Sequence, residues 1–288
     1  MSATGGEITH VSDTALMVAA CRAHETALED AYIRDPFAAR LAGERGVAIL
    51  NALPPAQAKV LRFGMAIRTR FVEELLMEAL AAHPIKTVLS VGCGLDTRPW
   101  RLDLAQDLRW IEIDFADMLD YKDGIMSGEK PRCRRERLTV DLNDRAQRST
   151  MYEAAGPEPA LMITEGLLLY LSAATVEALA AETFRNSNVS HWISDITTSA
   201  FSKILSAGAD TMQSIRHVQA SDCLQGEQIL EVLHRHGWTT DALRSYITDV
   251  GFVQDRVRRM MMTGSAPPPP RPQFPPGDPT GVLRFARS

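Results

Sequence analysis

The sequence predicts an α/β fold in which a doubly wound, mostly parallel sheet carries helices on both faces. Short apolar strands alternate with helical segments between residues 87 and 197, which is the pattern of βαβ units. A glycine turn follows the first of these strands, and each of the next four strands ends in an acid. Because the carboxyl ends of parallel strands lie at one edge of the sheet, the turn and the acids are expected to meet in one crevice.

Composition and charge exclude several classes of protein. The 288 residues are enough for one large α/β domain with additions. Lys and Arg number 31 against 36 Asp and Glu, a net charge of −5, which gives no general attraction to nucleic acid. The four cysteines form no CxxC pair, and no histidine lies at ligand spacing from them. We therefore expect no disulfide framework, no metal and no nucleic-acid partner.

The sequence shows no segment that would target or anchor the chain. No apolar run approaches the roughly 18 residues needed to span a membrane. The first ten residues lack the basic and apolar parts of a secretion signal. The expectation is a soluble, cytoplasmic protein without a membrane partner.

A long helical region precedes the first strand. Residues 13–82 are rich in alanine and interrupted by few prolines, so residues 1–82 are predicted to form an N-terminal helical lid. The helix predicted over 63–83 has an apolar stripe, and Arg68 lies in register with it. A guanidinium on a buried face needs an acidic partner. Alternatively, Arg68 reaches water or pairs with a structural acid.

The stretch 87–114 is the centre of the predicted fold. Its apolar strand ends at Gly92 and Gly94, which permit backbone angles closed to other residues and a close approach by a ligand. Asp114 ends the next strand, 20 residues after Gly94, a spacing that suits a carboxylate gripping two ribose hydroxyls. Thr97 replaces the third glycine of the dinucleotide motif. A nucleoside without a pyrophosphate, such as S-adenosylmethionine, therefore fits better than a dinucleotide.

The later elements continue the alternation of strand and helix, and residues 83–197 form the predicted core. The predicted strands and their terminal acids are 137–140 with Asp141, 160–164 with Glu165, and 191–194 with Asp195.

The C-terminal third is predicted to add to this core. Residues 198–236 are polar and helical, and are expected to form an insertion over the carboxyl edge. Histidines in this region are more typical of surface or packing positions than of a general base. Residues 237–288 are expected to complete the sheet. They comprise a short strand after Gly237, a helix over 241–250, a proline-rich connector over 266–279 and a last, antiparallel edge strand over 281–286.

Six motifs, in order, resemble those of the leucine carboxyl methyltransferase family and cover most of residues 20–185. The glycine turn followed by Leu-Asp-Thr-Arg and the EGLLLYL block are specific to that family rather than general to nucleotide-binding folds. The matching motifs are RDPFAARLAG (34–43), AIRTRFVEELL (66–76), VLSVGCGLDTRPWRL (88–102), WIEIDFADMLDYK (110–122), VDLND (140–144) and TEGLLLYLSAATVEAL (164–179).

The resemblance implies a class I methyltransferase fold, which is Rossmann-like, with S-adenosylmethionine as methyl donor and S-adenosylhomocysteine as product. By position, Arg68 would hold the methionine carboxylate, and Gly92 and Gly94 would admit the methionine part. Asp114 would take the ribose hydroxyls, and Glu165 would lie near the sulfonium.

The resemblance extends to the adenine and acceptor ends of the site. Asp141 and Leu142 would frame the adenine. Tyr170 and Asp195 fall beside the acceptor and are the candidate catalytic residues. Ser90 departs from the acid that many other class I methyltransferases have there.

The resemblance leads us to expect an O-methyltransferase that acts on a carboxylate of a small metabolite or a peptide C-terminus. An acceptor carboxyl group with a pKa of about 4 is already ionised at neutral pH, so its methylation requires no general base. The alternatives are a hydroxyl or phenol O-methyltransferase, which would need a base, a nicotinamide oxidoreductase, and a non-catalytic cofactor-binding protein. The sequence predicts no particular oligomeric state.

Overall fold

The computed structural model describes residues 7–185, 188–205, 215–251 and 273–288. Three helices precede the sheet, namely α1 (Val11–Thr26), α2 (Ala38–Ala52) and α3 (Pro55–Ala82). The strands are β1 (Thr87–Val91), β2 (Arg109–Asp114), β3 (Arg134–Thr139), β4 (Ala160–Thr164), β5 (Val189–Ile196), β6 (Trp238–Ser245) and β7 (Gly281–Arg287). The other helices are α4 (Arg98–Arg101), α5 (Ala116–Ile125), α6 (Arg145–Ala155), α7 (Ala173–Arg185), α8 (Ser199–Leu205) and α9 (Gly226–Arg235).

The seven strands form one sheet in the order β3-β2-β1-β4-β5-β7-β6. Strand β7 is antiparallel to both of its neighbours, and the other strands run in one direction. The order of the strands reverses between β1 and β4, so a crevice opens there at the carboxyl ends of the strands. The predicted doubly wound, mostly parallel sheet is confirmed.

The central strands are apolar because helices cover both faces of the sheet. All five residues of β1 and all five of β4 are buried, as expected for parallel strands between two helical layers. On one face, Val88 and Leu161 pack with Leu75 of α3. On the other face, Leu89 and Met162 join a cluster that includes residues of α6, α7 and α9.

Helix α3 confirms the stripe predicted over 63–83 and begins earlier, at Pro55. Its residues Val72, Leu75, Leu76 and Ala79 are fully buried. On another side, Arg70 and Glu74 form a half-buried ion pair one turn apart, with 2.7 Å between Nε and Oε1. Because α3 packs flat on the sheet, it is part of the helical layer, and a lid role for the N-terminal helices stays a prediction.

Strand β3 forms one edge of the sheet and begins at Arg134, three residues before the predicted start. Its arginines blunt this edge, since charged side chains discourage pairing with another chain. One of them reaches inward, because Nε of Arg135 donates to Oε2 of Glu112 at 2.8 Å. Glu112 also accepts from Nζ of Lys122 at 2.6 Å, and both of these side chains are fully buried.

Two predictions for the C-terminal region are wrong. The helix predicted over 241–250 is instead the end of β6, which runs to Ser245 and pairs with β7 through a bulge near Thr240. Local composition favoured a helix, but pairing with a strand about 40 residues away overrides that preference. Strand β7 is antiparallel, as predicted, but it lies between β5 and β6. Burial of the adjacent residues Val282 and Leu283 fits an interior strand rather than an edge.

The predicted insertion over 198–236 contains α8 and α9, and its residues 206–214 lie outside the described residues. Helix α9 packs on the sheet through Ile229, Val232 and Leu233, so it belongs to the helical layer, whereas the prediction placed it over the carboxyl edge. The proline-rich connector over 266–279 is described only from residue 273 onward. No described helix is both long enough and apolar enough to cross a membrane.

Candidate functional site

The glycine turn and Asp114 meet at the carboxyl ends of β1 and β2. Gly92 and Gly94 adopt positive φ angles of 62° and 45°, which only glycine takes readily. The amide of Gly94 donates to Oδ2 of Asp114 at 2.7 Å, and the amide of Phe115 donates to Oδ1 at 2.8 Å. These two bonds fix the carboxylate while each oxygen keeps a lone pair for a ligand hydroxyl. Burial raises the pKa of Asp114 although both amides lower it.

A small pocket of about 60 Å³ opens beside this turn. Asp114 and Asp141 line it together with the apolar side chains of Leu142 and Leu167. Oδ1 of Asp141 accepts from the amide of Asn143 at 2.9 Å. The lining of this pocket therefore combines two carboxylates with apolar side chains.

Leu167 limits the size of this pocket. A Cβ atom placed on Gly92 would lie 2.7 Å from Cδ1 of Leu167, so the leucine side chain lies directly against the glycine turn. Because a leucine changes rotamer readily compared with backbone, its movement would open the crevice for a larger ligand.

Arg68, Glu165 and Asp195 form a second group of charged side chains. Nε of Arg68 donates to Oε1 of Glu165 at 3.0 Å, and its Nη1 lies 3.5 Å from Oδ2 of Asp195. The described contacts leave Nη2 of Arg68 for a ligand. The amide of Gly166 donates to Oδ1 of Asp195 at 2.6 Å. The predicted acidic partner of Arg68 is thus a pair of carboxylates from the ends of β4 and β5.

The two carboxylates differ in their proton affinities. Burial alone would raise the pKa of Glu165, but the charges of Arg98 and Arg68 outweigh it and hold that pKa at about 2. Burial raises the pKa of Asp195 even though Arg68 and the amide of Gly166 lower it. Glu165 is therefore a fixed anion, and Asp195 is the more basic of the two.

A continuous chain of ion pairs extends from this group to α1. Nη2 of Arg98 lies 2.7 Å from Oε2 of Glu165, and Nη1 lies 3.1 Å from Oδ2 of Asp96. At the far end, Nε of Arg22 lies 2.8 Å from Oδ2 of Asp35. In order, the chain links Arg22, Asp35, Arg101, Glu73, Arg98, Glu165, Arg68 and Asp195, and Asp96 is attached to it through Arg98.

This ion-pair chain contains one more carboxylate than guanidinium. The chain therefore has an excess of one negative charge in a part of the molecule that excludes most water. Such an excess is unfavourable, because buried charges are costly unless they are paired. Its location at the crevice favours a ligand with a net positive charge.

Tyr170 lies beneath the N-terminal helices, next to the crevice. Burial raises its pKa, although a hydrogen bond with Thr14 of α1 lowers it. The backbone carbonyl of Tyr170 accepts from the amide of Ala220 at 3.0 Å. Tyr170 is thus where α1 and the segment before α9 meet, and its hydroxyl is a weak acid that stays protonated at neutral pH.

The sequence predictions missed three residues of this region. Arg98 stands within the GLDTR motif and bridges Glu165 to Asp96, a role that only its burial reveals. Gly166 lies under Arg68, since a Cβ added there would be 2.9 Å from Nη1 of the arginine. The third residue, Tyr246, fell in the region predicted as a helix.

Tyr246 presents an unpartnered hydroxyl next to the Arg68 group. Its ring stacks on Phe71 with 6.0 Å between centroids and lies 6.1 Å from the ring of Phe201. The hydroxyl oxygen is buried and has no hydrogen-bond partner within the described part of the chain. Burial raises its pKa well above the usual value, and Asp195 and Arg68 are among the charges that act on it. A buried, unpaired hydroxyl is available to hydrogen-bond a ligand.

The histidines of the C-terminal third are engaged with protein groups. Nε2 of His217 is 2.7 Å from the carbonyl oxygen of Ile8. The rings of His234 and His236 contact Thr240 and Glu177. These contacts agree with the prediction that they are packing or surface residues.

Three relatives each match about three fifths of the chain. A protein of Frankia alni is 36% identical over 178 residues, which is 58% of this chain and 61% of the relative. A protein of Streptomyces avermitilis is 37% identical over 177 residues, 58% of this chain and 62% of the relative. A protein of Mycobacterium tuberculosis is 34% identical over 186 residues, 59% and 61% of the two chains. All three are provisionally named S-adenosyl-L-methionine-dependent methyltransferases, and the matched region spans about three fifths of their length.

Two solved structures share the fold. A DUF574 family protein from Streptomyces avermitilis has a TM-score of 0.57 at 12% identity, covering 93% of this chain and 96% of its own. A methyltransferase, so named provisionally, from Thermobifida fusca has a TM-score of 0.51 at 15% identity, covering 98% and 95%. The sheet and its helices are therefore those of the class I methyltransferase fold.

The family model named leucine carboxyl methyltransferase matches residues 15–184. This range holds the glycine turn, Asp114, the ion-pair chain up to Glu165, and Tyr170. The chain belongs to the leucine carboxyl methyltransferase family.

Proposed function

We propose that this protein is an S-adenosylmethionine-dependent O-methyltransferase that forms a methyl ester on a carboxylate of a small metabolite or a peptide C-terminus. Membership of the family supports methyl transfer. We base the choice of cofactor on the row of groups at the carboxyl ends of the strands, from Asp114 on β2 to Asp195 on β5. Three strand spacings separate these strands, or about 14 Å, which is long enough for a nucleoside joined to an amino acid.

The residues of the row match the parts of S-adenosylmethionine. Asp114 would accept from the ribose hydroxyls, and Asp141 with Leu142 would hold the adenine. Gly92 and Gly94 would let the methionine part approach the backbone. The guanidinium of Arg68 would hold the methionine carboxylate through its remaining donor, since arginine pairs with carboxylates in this way.

Charge supports the same cofactor. S-adenosylmethionine carries a sulfonium, an ammonium and a carboxylate, and so has a net charge of +1 at neutral pH. The ion-pair chain has an excess of one negative charge, and Glu165 stays ionised because its pKa is about 2. A cationic cofactor would neutralise this excess. Movement of Leu167 away from Gly92 would enlarge the pocket beside Asp114 for this cofactor.

The chain's own residues do little proton chemistry in this mechanism. When bound, S-adenosylmethionine supplies an electrophilic methyl group on a sulfonium. The acceptor carboxylate is already ionised at neutral pH, so no side chain has to remove a proton. The hydroxyl of Tyr246 would donate to the acceptor, and the apolar rings of Phe71 and Phe201 would exclude water from it. Alignment and desolvation would then provide most of the rate enhancement.

One observation favours a second candidate function, methylation of a hydroxyl or phenol. Such an acceptor must lose a proton, and Asp195 is a buried carboxylate with a raised pKa at the acceptor end of the site. A general base with a raised pKa is more effective near neutral pH. Against this, Oδ1 of Asp195 is bonded to the amide of Gly166 and Oδ2 faces Arg68.

The test is methyl transfer from methyl-labelled S-adenosylmethionine to a panel of acceptors. The panel contains small carboxylic acids, phenols and alcohols, and one peptide with either a free or an amidated C-terminus. We expect label in a carboxylic acid or in the free peptide and none in the amidated one, with the label released as methanol by mild base. Label in phenols but in no carboxylate, with a rate that rises steeply with pH, would overturn the acceptor assignment.

A further inference from the structure

Two histidines and an aspartate converge near the start of β5, at the opposite end of this strand from the methyltransferase crevice. His83 ends α3, His191 lies near the start of β5, and Asp241 lies in β6. One ligand atom from each residue lies within 4.8 Å of those of the other two. The imidazole rings are 4.1 Å apart between centroids and inclined by 36°. We propose that these three side chains form a binding site for Zn²⁺ or a similar divalent transition metal.

The cluster is separate from the site described above. His191 pairs with Leu161 in the sheet, whereas Asp195 lies at the carboxyl end of the same strand. Four residues of strand separate them, or about 13 Å. A metal bound at His191 would therefore not contact the acceptor or the cofactor.

The contact between His191 and Ser190 bears on which imidazole nitrogen is available to a metal. The hydroxyl of Ser190 donates to the carbonyl oxygen of Ala160 at 3.3 Å. Oγ of Ser190 also lies 2.9 Å from Nδ1 of His191, a contact in which the imidazole donates when Nδ1 carries the hydrogen. In that tautomer Nε2 carries the lone pair. No donor to Nε2 is found among the described residues, and His191 is only 8% exposed.

This arrangement is the one that metal-binding histidines use. A ligating imidazole almost always donates its other N–H to an oxygen, which fixes the tautomer and the orientation of the ring. Here Ser190 is that oxygen. In the tautomer with the hydrogen on Nδ1, a metal ion would accept the lone pair of Nε2.

Asp241 can serve as the third ligand while it keeps its ion pair. Nη2 of Arg284 lies 2.9 Å from Oδ2 of Asp241, and Nε lies 3.0 Å from Oδ2 and 3.2 Å from Oδ1. Oδ1 has the weaker contact and retains a lone pair. The positive charge of Arg284 opposes a second cation, so we expect binding in the micromolar range rather than tighter.

The ligand set selects the metal. Two imidazoles and one carboxylate are typical of Zn²⁺, which completes its tetrahedron with water. The side chain of Asp241 is 29% exposed, so water can reach the fourth position. A bound ion would join the end of α3 to β5 and β6, three elements far apart in the chain, and so would stabilise the fold by mass action.

The experiment is a calorimetric titration of the purified full chain, stripped with chelator, with ZnCl₂. The site variants are His83→Gln, His191→Gln and Asp241→Asn. The matched controls are His234→Gln, an exposed histidine near β6, and Cys223→Ser, which removes the one cysteine that is not buried. We expect one equivalent of Zn²⁺ in the unaltered protein and in both controls. Each site variant should bind at least about tenfold more weakly.

A second readout separates the site from loss of folding. Thermal unfolding of the unaltered protein should shift to higher temperature with ZnCl₂, and that of the site variants should not. His83 and Asp241 are not buried, so their variants keep the test valid if His191→Gln does not fold. Site variants that bind Zn²⁺ as the unaltered protein does, or controls that lose binding equally, would overturn the proposal.

Discussion

Glu165 links stability to pH through its two arginine partners. Its folded-state pKa is about 2 against an ordinary value of 4.5, and its side chain is only 15% exposed. A carboxyl group whose pKa is lower in the folded than in the unfolded state stabilises the fold at pH values above its unfolded-state pKa. This contribution is lost as the pH falls through the folded-state pKa. At about 1.4 kcal/mol per pH unit, the shift corresponds to about 3 kcal/mol at neutral pH. We therefore expect Glu165→Gln to lower the free energy of unfolding by about 3 kcal/mol at pH 7 and by about 1 kcal/mol at pH 3.

Urea-induced unfolding of both proteins between pH 7 and pH 3 measures this difference. The matched control is Glu177→Gln, because Glu177 also pairs with two basic side chains, Arg235 and His236, but is 40% exposed. An exposed pair contributes at most about 1 kcal/mol, so the control should remain close to the unaltered protein at every pH. A Glu165→Gln deficit that is as small as the control's, or that does not shrink with acid, would refute the reasoning.

Three further predictions concern single side chains. Gly166→Ala places a Cβ 2.9 Å from Nη1 of Arg68, so calorimetry should show at least about tenfold weaker binding of S-adenosylhomocysteine. The control variant Gly124→Ala has open space around the new Cβ and should bind this ligand normally. Lys122→Met leaves the fully buried carboxylate of Glu112 with one partner fewer, and urea unfolding should show a free energy of unfolding lower by about 3 to 5 kcal/mol. A decrease of less than about 1 kcal/mol would contradict this prediction. Tyr246→Phe should raise KM for the acceptor about tenfold without changing cofactor affinity, and an unchanged KM would remove Tyr246 from the acceptor site.

The first five strands and α3 could be predicted because local pattern determines them. The runs that became β1 and β4 are buried on both faces, so their apolar character is continuous and easily recognised. The stripe of α3 has helical spacing because one face packs on the sheet. The acids at the strand ends were visible for the same reason, since each directly follows a buried run.

The length of β6 and the position of β7 in the sheet could not be predicted from local pattern. Strand β6 contains Asp241 and Ala242, which are poor strand formers, and it exists through its pairing with β7. That pairing joins segments far apart in the sequence. The error over 241–250 hid Tyr246, because a residue in a predicted helix was not expected at the sheet edge.

The acids at the strand ends and Arg68 were predicted for the candidate site, whereas Arg98 was missed. Arg68 was noticed because a charge on an apolar stripe is conspicuous. Arg98 stands in a polar turn, where an arginine is unremarkable until its side chain is seen to be 3% exposed between three carboxylates. The histidine pair was missed likewise, since ligand spacing along the chain cannot show residues brought together from α3 and β5.

The binding of S-adenosylhomocysteine, followed by calorimetry with NAD as the control ligand, tests most directly whether the crevice is a methyltransferase site. We predict saturable binding of one equivalent of S-adenosylhomocysteine, no binding of NAD, and a loss of about 2 to 4 kcal/mol in Asp114→Ala, which is about 30-fold or more in affinity. Circular dichroism of Asp114→Ala checks that the variant is folded. Absence of binding, or binding that Asp114→Ala leaves unchanged, would contradict the assignment of this edge of the sheet to the cofactor.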